Sequence, residues 1–274
     1  MLLLVLSNIA TANASLLITP TKIEFSQRDR SAKVSLVNTG KEAKTYKIFW
    51  REQYQAPDGS YKALTEEQTD FPIASSMLRY SPRQVTLAPG ERQHVRIALR
   101  RPKELENGEY RSHLVFEALP NIKELQERRG KETGIKMYLN LAFSIPVIVR
   151  QGALDTKATL RKVELFNETI NNKNYLAVDL DVLRSGLHSV VGNFKIYWQD
   201  QGSSTETEIA VLNKVAIYTE RDSRVIKIRF NEHSMKDGVM RIEYLGVDNL
   251  QGVTLFDEKI IVSPHDYKKR IISK

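Results

Sequence analysis

From residue 16 to residue 262 the chain is a succession of short segments in which apolar and polar residues alternate, each closed by turn residues. Side chains of an extended strand point to opposite faces in turn, so alternation marks a strand with one face buried. Strands are predicted over 32–37, 45–50, 84–87, 94–99 and 110–118, with Asn38-Thr39-Gly40, Pro57-Asp58-Gly59, Ala88-Pro89-Gly90 and Asn107-Gly108 as the punctuation. The longest alternation covers 135–149, where Ile135, Met137, Leu139, Leu141, Phe143, Ile145, Val147 and Val149 share one face. Pro146 interrupts it, and a proline cannot donate to a ladder, so the strand must lie at an edge or bend there. After Arg150-Gln151-Gly152 the pattern restarts, with strands over 175–183, 193–198, 211–218, 224–230, 239–245 and 253–262. No stretch keeps a helical period for a dozen residues, and the charged segment 121–129 reads as a loop.

Turn signals every 8–12 residues or so are the mark of a β-sandwich. With 274 residues, 41% of them hydrophobic, two cores can be filled. The fold class expected is therefore all-β, two sandwich domains joined by a short linker near Gln151. The first would take residues 15–150, the second 151–264, and 265–274 would be a basic tail.

The beginning of the chain differs in kind. Apolar residues from Met1 to Leu6 lead to the small-residue pattern Ala12-Asn13-Ala14, without the usual positive segment in front. The run is far shorter than the ~20 residues that span a bilayer. It reads as a secretory signal over 1–14, with the mature chain starting near Ser15 and lying outside the cytoplasm.

Charge and reactive side chains exclude more than they assign. Forty-one Lys and Arg against 33 Asp and Glu give a net charge of +8. The cations are dispersed and not interleaved with aromatics, so no nucleic-acid partner is expected. Lys268-Lys269-Arg270, the one tight cluster, reads as solvated tail. The absence of cysteine removes thiol nucleophiles, zinc–thiolate sites and iron–sulfur clusters together. Five scattered histidines, no phosphate-binding glycine loop and no nucleophile elbow point away from an enzyme, a cofactor or a small-molecule substrate.

One constellation is more specific. Ser81-Pro82, then Leu87-Ala88-Pro89-Gly90, then Gln93-His94-Val95-Arg96-Ile97, at this spacing, resembles the signature of the periplasmic pilus chaperones of the chaperone–usher pathway. Val37-Asn38-Thr39-Gly40, the segment Gly108-Glu109-Tyr110 leading to Leu119-Pro120, and Ile145-Pro146-Val147 extend the likeness over the first domain. Leu183-Arg184-Ser185-Gly186 carries it more thinly into the second. The charged loop and the Ile-Pro-Val exit are similar to the archaic class.

The resemblance implies two immunoglobulin-like domains and a mechanism. Pilin subunits lack their last strand, and the chaperone's long strand fills the gap by β-augmentation before delivery to an outer-membrane usher. It implies Ile135, Met137, Leu139 and Leu141 as donor residues, with Phe143, Ile145 and Val147 left to the domain's own core. It implies that two cations hold the subunit's terminal carboxylate. Lys22, three residues before Phe25, occupies the first position; Pro146 occupies the second, which leaves two alternatives: another cation, Arg150 or Arg111, substitutes, or the subunit end is bound differently. It leaves open whether the free chaperone caps its strand as a dimer. A structural or adhesive immunoglobulin-like pilus component is the competing reading; the early first strand and the long closing strand weigh against it.

Overall fold

The structure, a computed structural model, describes residues 16–65, 70–120, 141–230, 234 and 236–271. In chain order the strands are β1 Leu16–Thr19, β2 Ile23–Phe25, β3 Ser31–Asn38, β4 Lys44–Arg51, β5 Gln53–Gln55, β6 Tyr61–Ala63, β7 Leu78–Ser81, β8 Gln84–Leu87, β9 Arg92–Leu99, β10 Gly108–Ala118 and β11 Ala142–Gln151. They continue as β12 Lys157–Ile170, β13 Lys173–Ser185, β14 Val190–Asp200, β15 Glu206–Ile217, β16 Ser223–Arg229, β17 Gly238–Gly246, β18 Thr254–Val262 and β19 Tyr267–Ile271. The fold is all-β, two immunoglobulin-like sandwiches.

Two units divide the chain. The first takes residues up to Glu52, then Pro72–Leu105 and Tyr110–Gln151. The second takes Gln53–Phe71, Glu106–Glu109 and everything from Gly152. The β5–β6 hairpin thus belongs with the second unit although it lies inside the sequence of the first.

The first unit packs the sheet β1-β3-β9-β7 on the sheet β2-β11-β10-β4-β8. Its first strand is split, β1 pairing with β3 in one sheet and β2 with β11 in the other. The alternation in β9 does what its sequence requires: Val95, Ile97 and Leu99 are buried while Arg92, His94 and Arg96 are exposed. Leu36, Tyr46, Ile48, Leu114, Phe116 and Val147 fill the space between the sheets. Asn38 secures the end of β3, its amide donating to the carbonyls of Glu42 and Leu87 while its oxygen accepts from Gly40 N–H. Across from it the Ala88-Pro89-Gly90 turn closes with Gly90 at φ +75°, and Gly90 N–H donates to Asn38 O at 2.8 Å. A left-handed residue is needed there, which is why the turn ends in glycine.

The second unit packs β16-β13-β12-β19 on β15-β14-β17-β18. Phe194 stacks on Tyr244 at 4.1 Å, with Phe256 beside both. A Cβ at Gly192 would come within 2.6 Å of the Tyr244 ring, so that stack demands glycine opposite it.

Two sequence expectations change. The expected basic tail is, over its described residues 265–271, not loose: β19 pairs in parallel with β12, Tyr267 is buried in the core, and Arg270 binds Asp179 and Glu168. Lys268 stands over Glu164 in the same way, so two of its three basic residues meet carboxylates on the neighbouring strands. The alternation missed β12 altogether, because a bulge between Leu160 and Lys162 shifts its period by one residue. The signal segment, the loop over 121–129 and the donor residues Ile135, Met137 and Leu139 lie outside the described residues.

Candidate functional site

The long strand enters the described structure at Leu141, whose carbonyl accepts a hydrogen bond from Ala118 N–H on β10. From there the odd-numbered face changes character. Val149, Val147 and Ile145 are buried in the core, Phe143 is half-buried against it, and Leu141 is 48% exposed. One continuous apolar row therefore passes from the interior of the sandwich into solvent. Pro146 sits where the pairing changes: β2 meets β11 in parallel at Val147–Val149, and the stretch from Ala142 to Pro146 runs past the end of β2. The edge inferred from the proline is there, confined to that stretch; further along, β11 lies between β2 and β10.

The register of β2 on β11 sets Ile148 beside Glu24, so Glu24 and Arg150 lie on the face opposite the core. Lys22 Nζ is 2.7 Å from Glu24 Oε1, and an Arg150 guanidinium nitrogen is 3.6 Å from the same oxygen. Both expected anchor residues thus share one carboxylate, with side chains 24% exposed for Lys22 and 8% for Arg150. Two basic side chains thus meet at one carboxylate, so the pair is partly neutralised from within. Lys22 immediately precedes β2 and stands two residues before Glu24, the spacing that puts extended neighbours on one face, and that spacing was the sequence signal for this carboxylate.

Arg101 was missed as well. Its guanidinium donates to the carbonyls of Phe25 and Ser26 and to the carbonyl of Arg150, binding the ends of β2 and β11 to one planar group. Nothing local in Leu99-Arg100-Arg101-Pro102 signals that role. Arg111, the other candidate cation, is buried on β10 two residues from His113. Burial, with help from the Arg111 charge, depresses the His113 imidazole to about 3. Among the described residues no group of three or more His, Cys, Asp and Glu side chains could hold a metal ion.

Residues 15–154 match the family model described as pili and flagellar-assembly chaperone, PapD N-terminal domain. The chain belongs to that family. Its fold is similar to several solved chaperone structures. A structure of the CFA/I fimbrial chaperone–tip adhesin complex is 13% identical with a TM-score of 0.44, the likeness covering 91% of this chain and 99% of that one. The CsuC–CsuE chaperone–tip adhesion pre-assembly complex of the archaic Csu pili of Acinetobacter baumannii is 14% identical, with 91% and 99% covered and a TM-score of 0.42. The Pseudomonas aeruginosa CupB2 chaperone is 11% identical, with 90% and 99% covered and a TM-score of 0.43. No curated protein sequence matches the chain.

Proposed function

We propose that this family member is a periplasmic chaperone that holds pilin subunits by donor-strand complementation and hands them to an outer-membrane usher. The observation that carries the reading is the passage of a single apolar row from buried Ile145 to half-exposed Leu141. The same row continues in the sequence through Leu139, Met137 and Ile135. A soluble protein keeps such a row in water only where something else covers it. An extended segment offers backbone hydrogen bonds for affinity and alternate side chains for pockets, which is what a fold lacking one strand needs. Lys22 and Arg150 supply the cations for the subunit's terminal carboxylate, with Glu24 as their resting counter-ion.

The test is capture of a tagged pilin subunit expressed alongside the chain in the periplasm. The chain should co-purify with the tagged pilin, and its amino terminus in the periplasmic fraction should lie near Ser15. Leu141→Asp would require a carboxylate to enter an apolar groove, so capture should be lost while the free protein melts unchanged. Equal capture by Leu141→Asp, or no capture by the native chain, would reject the reading.

A further inference from the structure

Four strands of the first unit, β1, β3, β9 and β7, contain no Asp or Glu at all. Their solvent face is set by register. Lys33 lies directly opposite Arg96, Val37 opposite Arg92, Ser35 opposite His94, and Arg79 opposite Ala98. Lys33, Arg79, Arg92 and Arg96 are all exposed. The carboxylates nearest in sequence are turned to local work: Glu91 accepts from Ala88 N–H, and Asp29 from the Ser26 backbone and hydroxyl.

This is not how the chain treats cations on its other sheets. On the second unit Lys268 meets Glu164, Arg161 meets Asp181, and Lys227, Arg229 and Arg270 converge on Glu168. Arg241 there is likewise ringed by Glu206 and Glu243. Only the β1-β3-β9-β7 face, among the sheets described, concentrates cations without carboxylates. Lys33 against Arg96 is moreover a like-charge pair across neighbouring strands, an arrangement that destabilises the sheet.

We infer that this face is a docking surface for an anionic phospholipid bilayer. Protein–protein interfaces are built round an aromatic or aliphatic centre and are depleted in Lys; here the centre is the Lys33–Arg96 pair, and the ring of Tyr80 on β7 turns inward to Trp50. Single-stranded nucleic acid would want a platform of aromatic rings to stack on, and no Phe, Tyr or Trp stands on this face, only the imidazole of His94. A broad sheet face of cations suits a plane of phosphates, and guanidinium forks match phosphate oxygens two at a time. Leu17, 54% exposed on β1 opposite Val37, adds an apolar contact at the margin.

Sedimentation with vesicles tests this. The full chain should bind phosphatidylcholine vesicles containing phosphatidylglycerol, bind pure phosphatidylcholine poorly, and release as salt is raised. Each cation near an anionic surface is worth about a fivefold change in partitioning. The double variant Arg92→Gln, Arg96→Gln should therefore bind about thirtyfold more weakly. Lys33→Glu should weaken binding at least about fivefold yet melt no lower than the native protein, because it turns a repulsive cross-strand pair into an attractive one. Lys157→Glu, an exposed change on β12, should leave binding nearly unaltered. Three results would overturn the inference: equal binding to neutral vesicles, a loss with Lys157→Glu as large as with Lys33→Glu, or no sedimentation with phosphatidylglycerol at low salt.

Discussion

Glu24 decides how strongly the basic cluster can act. Its carboxylate stands 2.7 Å from Lys22 and 3.6 Å from Arg150, so an incoming carboxylate must share cations already engaged. Glu24→Gln should tighten pilin binding about two- to fivefold, the worth of a partly exposed charge pair. Lys22→Ala and Arg150→Ala should each weaken it, all three read by titration with a peptide that carries the pilin's terminal carboxylate. His113 makes a separate prediction through linkage. Its folded value of about 3 lies below the ordinary 6.5, so as pH falls below about 6.5 the unfolded chain takes up a proton that the folded chain refuses. Stability should decline by up to about 1.4 kcal/mol per pH unit from that residue between those values. Urea midpoints for His113→Gln should show a shallower acid limb. Of these residues, Lys22 was named from the family resemblance, and Arg150 as one stand-in for the cation that Pro146 replaces. Their meeting at Glu24 was not legible, because it depends on a parallel pairing between strands more than a hundred positions apart.

At the scale of elements, the clearest lesson is β19. Lys268-Lys269-Arg270 has the composition of a solvated tail, yet Lys268 reaches Glu164 on β12 and Arg270 reaches Glu168 there and Asp179 on β13. Arg270 also lies over the Phe166 ring, 3.2 Å from its centroid. Glu168 is fully buried; burial raises its carboxyl pKa, and the hydrogen bonds of Lys227, Arg229 and Arg270 together with the Lys227 charge outweigh that and hold it below the usual range. Arg270→Ala should cost about 1–2 kcal/mol, less than a fully buried charge-assisted pair because the guanidinium is partly exposed. Denaturant unfolding monitored by Trp198 fluorescence would measure it. Alternation found most strands of both units and failed where a second rule intervened. The bulge in β12 broke the period, and β5 and β6, three residues each, are too short to show one.

For the whole molecule, the division of the chain carries a consequence for its stability. Gln55 on β5 is buried, its backbone N–H donating to Glu220 and its side chain to Ala216 O, while Tyr61 meets Tyr218 through their hydroxyls at 3.2 Å. Replacing 53–71 by a short linker should therefore raise hydrogen exchange in β15 and at Tyr218, and leave the β3–β9 ladder protected. The sequence by itself determined that the chain is all-β, that two cores exist, where the principal turns fall, and which face of the long strand is apolar. All of these follow from neighbours along the chain, where period two and glycine-bearing turns act over a few residues. Only the tertiary structure decided that 53–71 joins the second unit, that Lys268-Lys269-Arg270 lies in a strand, that Glu24 holds both cations, and that four strands without acids line up one cationic face. Each of these depends on which strands lie side by side and in what register, and that choice is made by burying both sheets at once rather than by any segment alone.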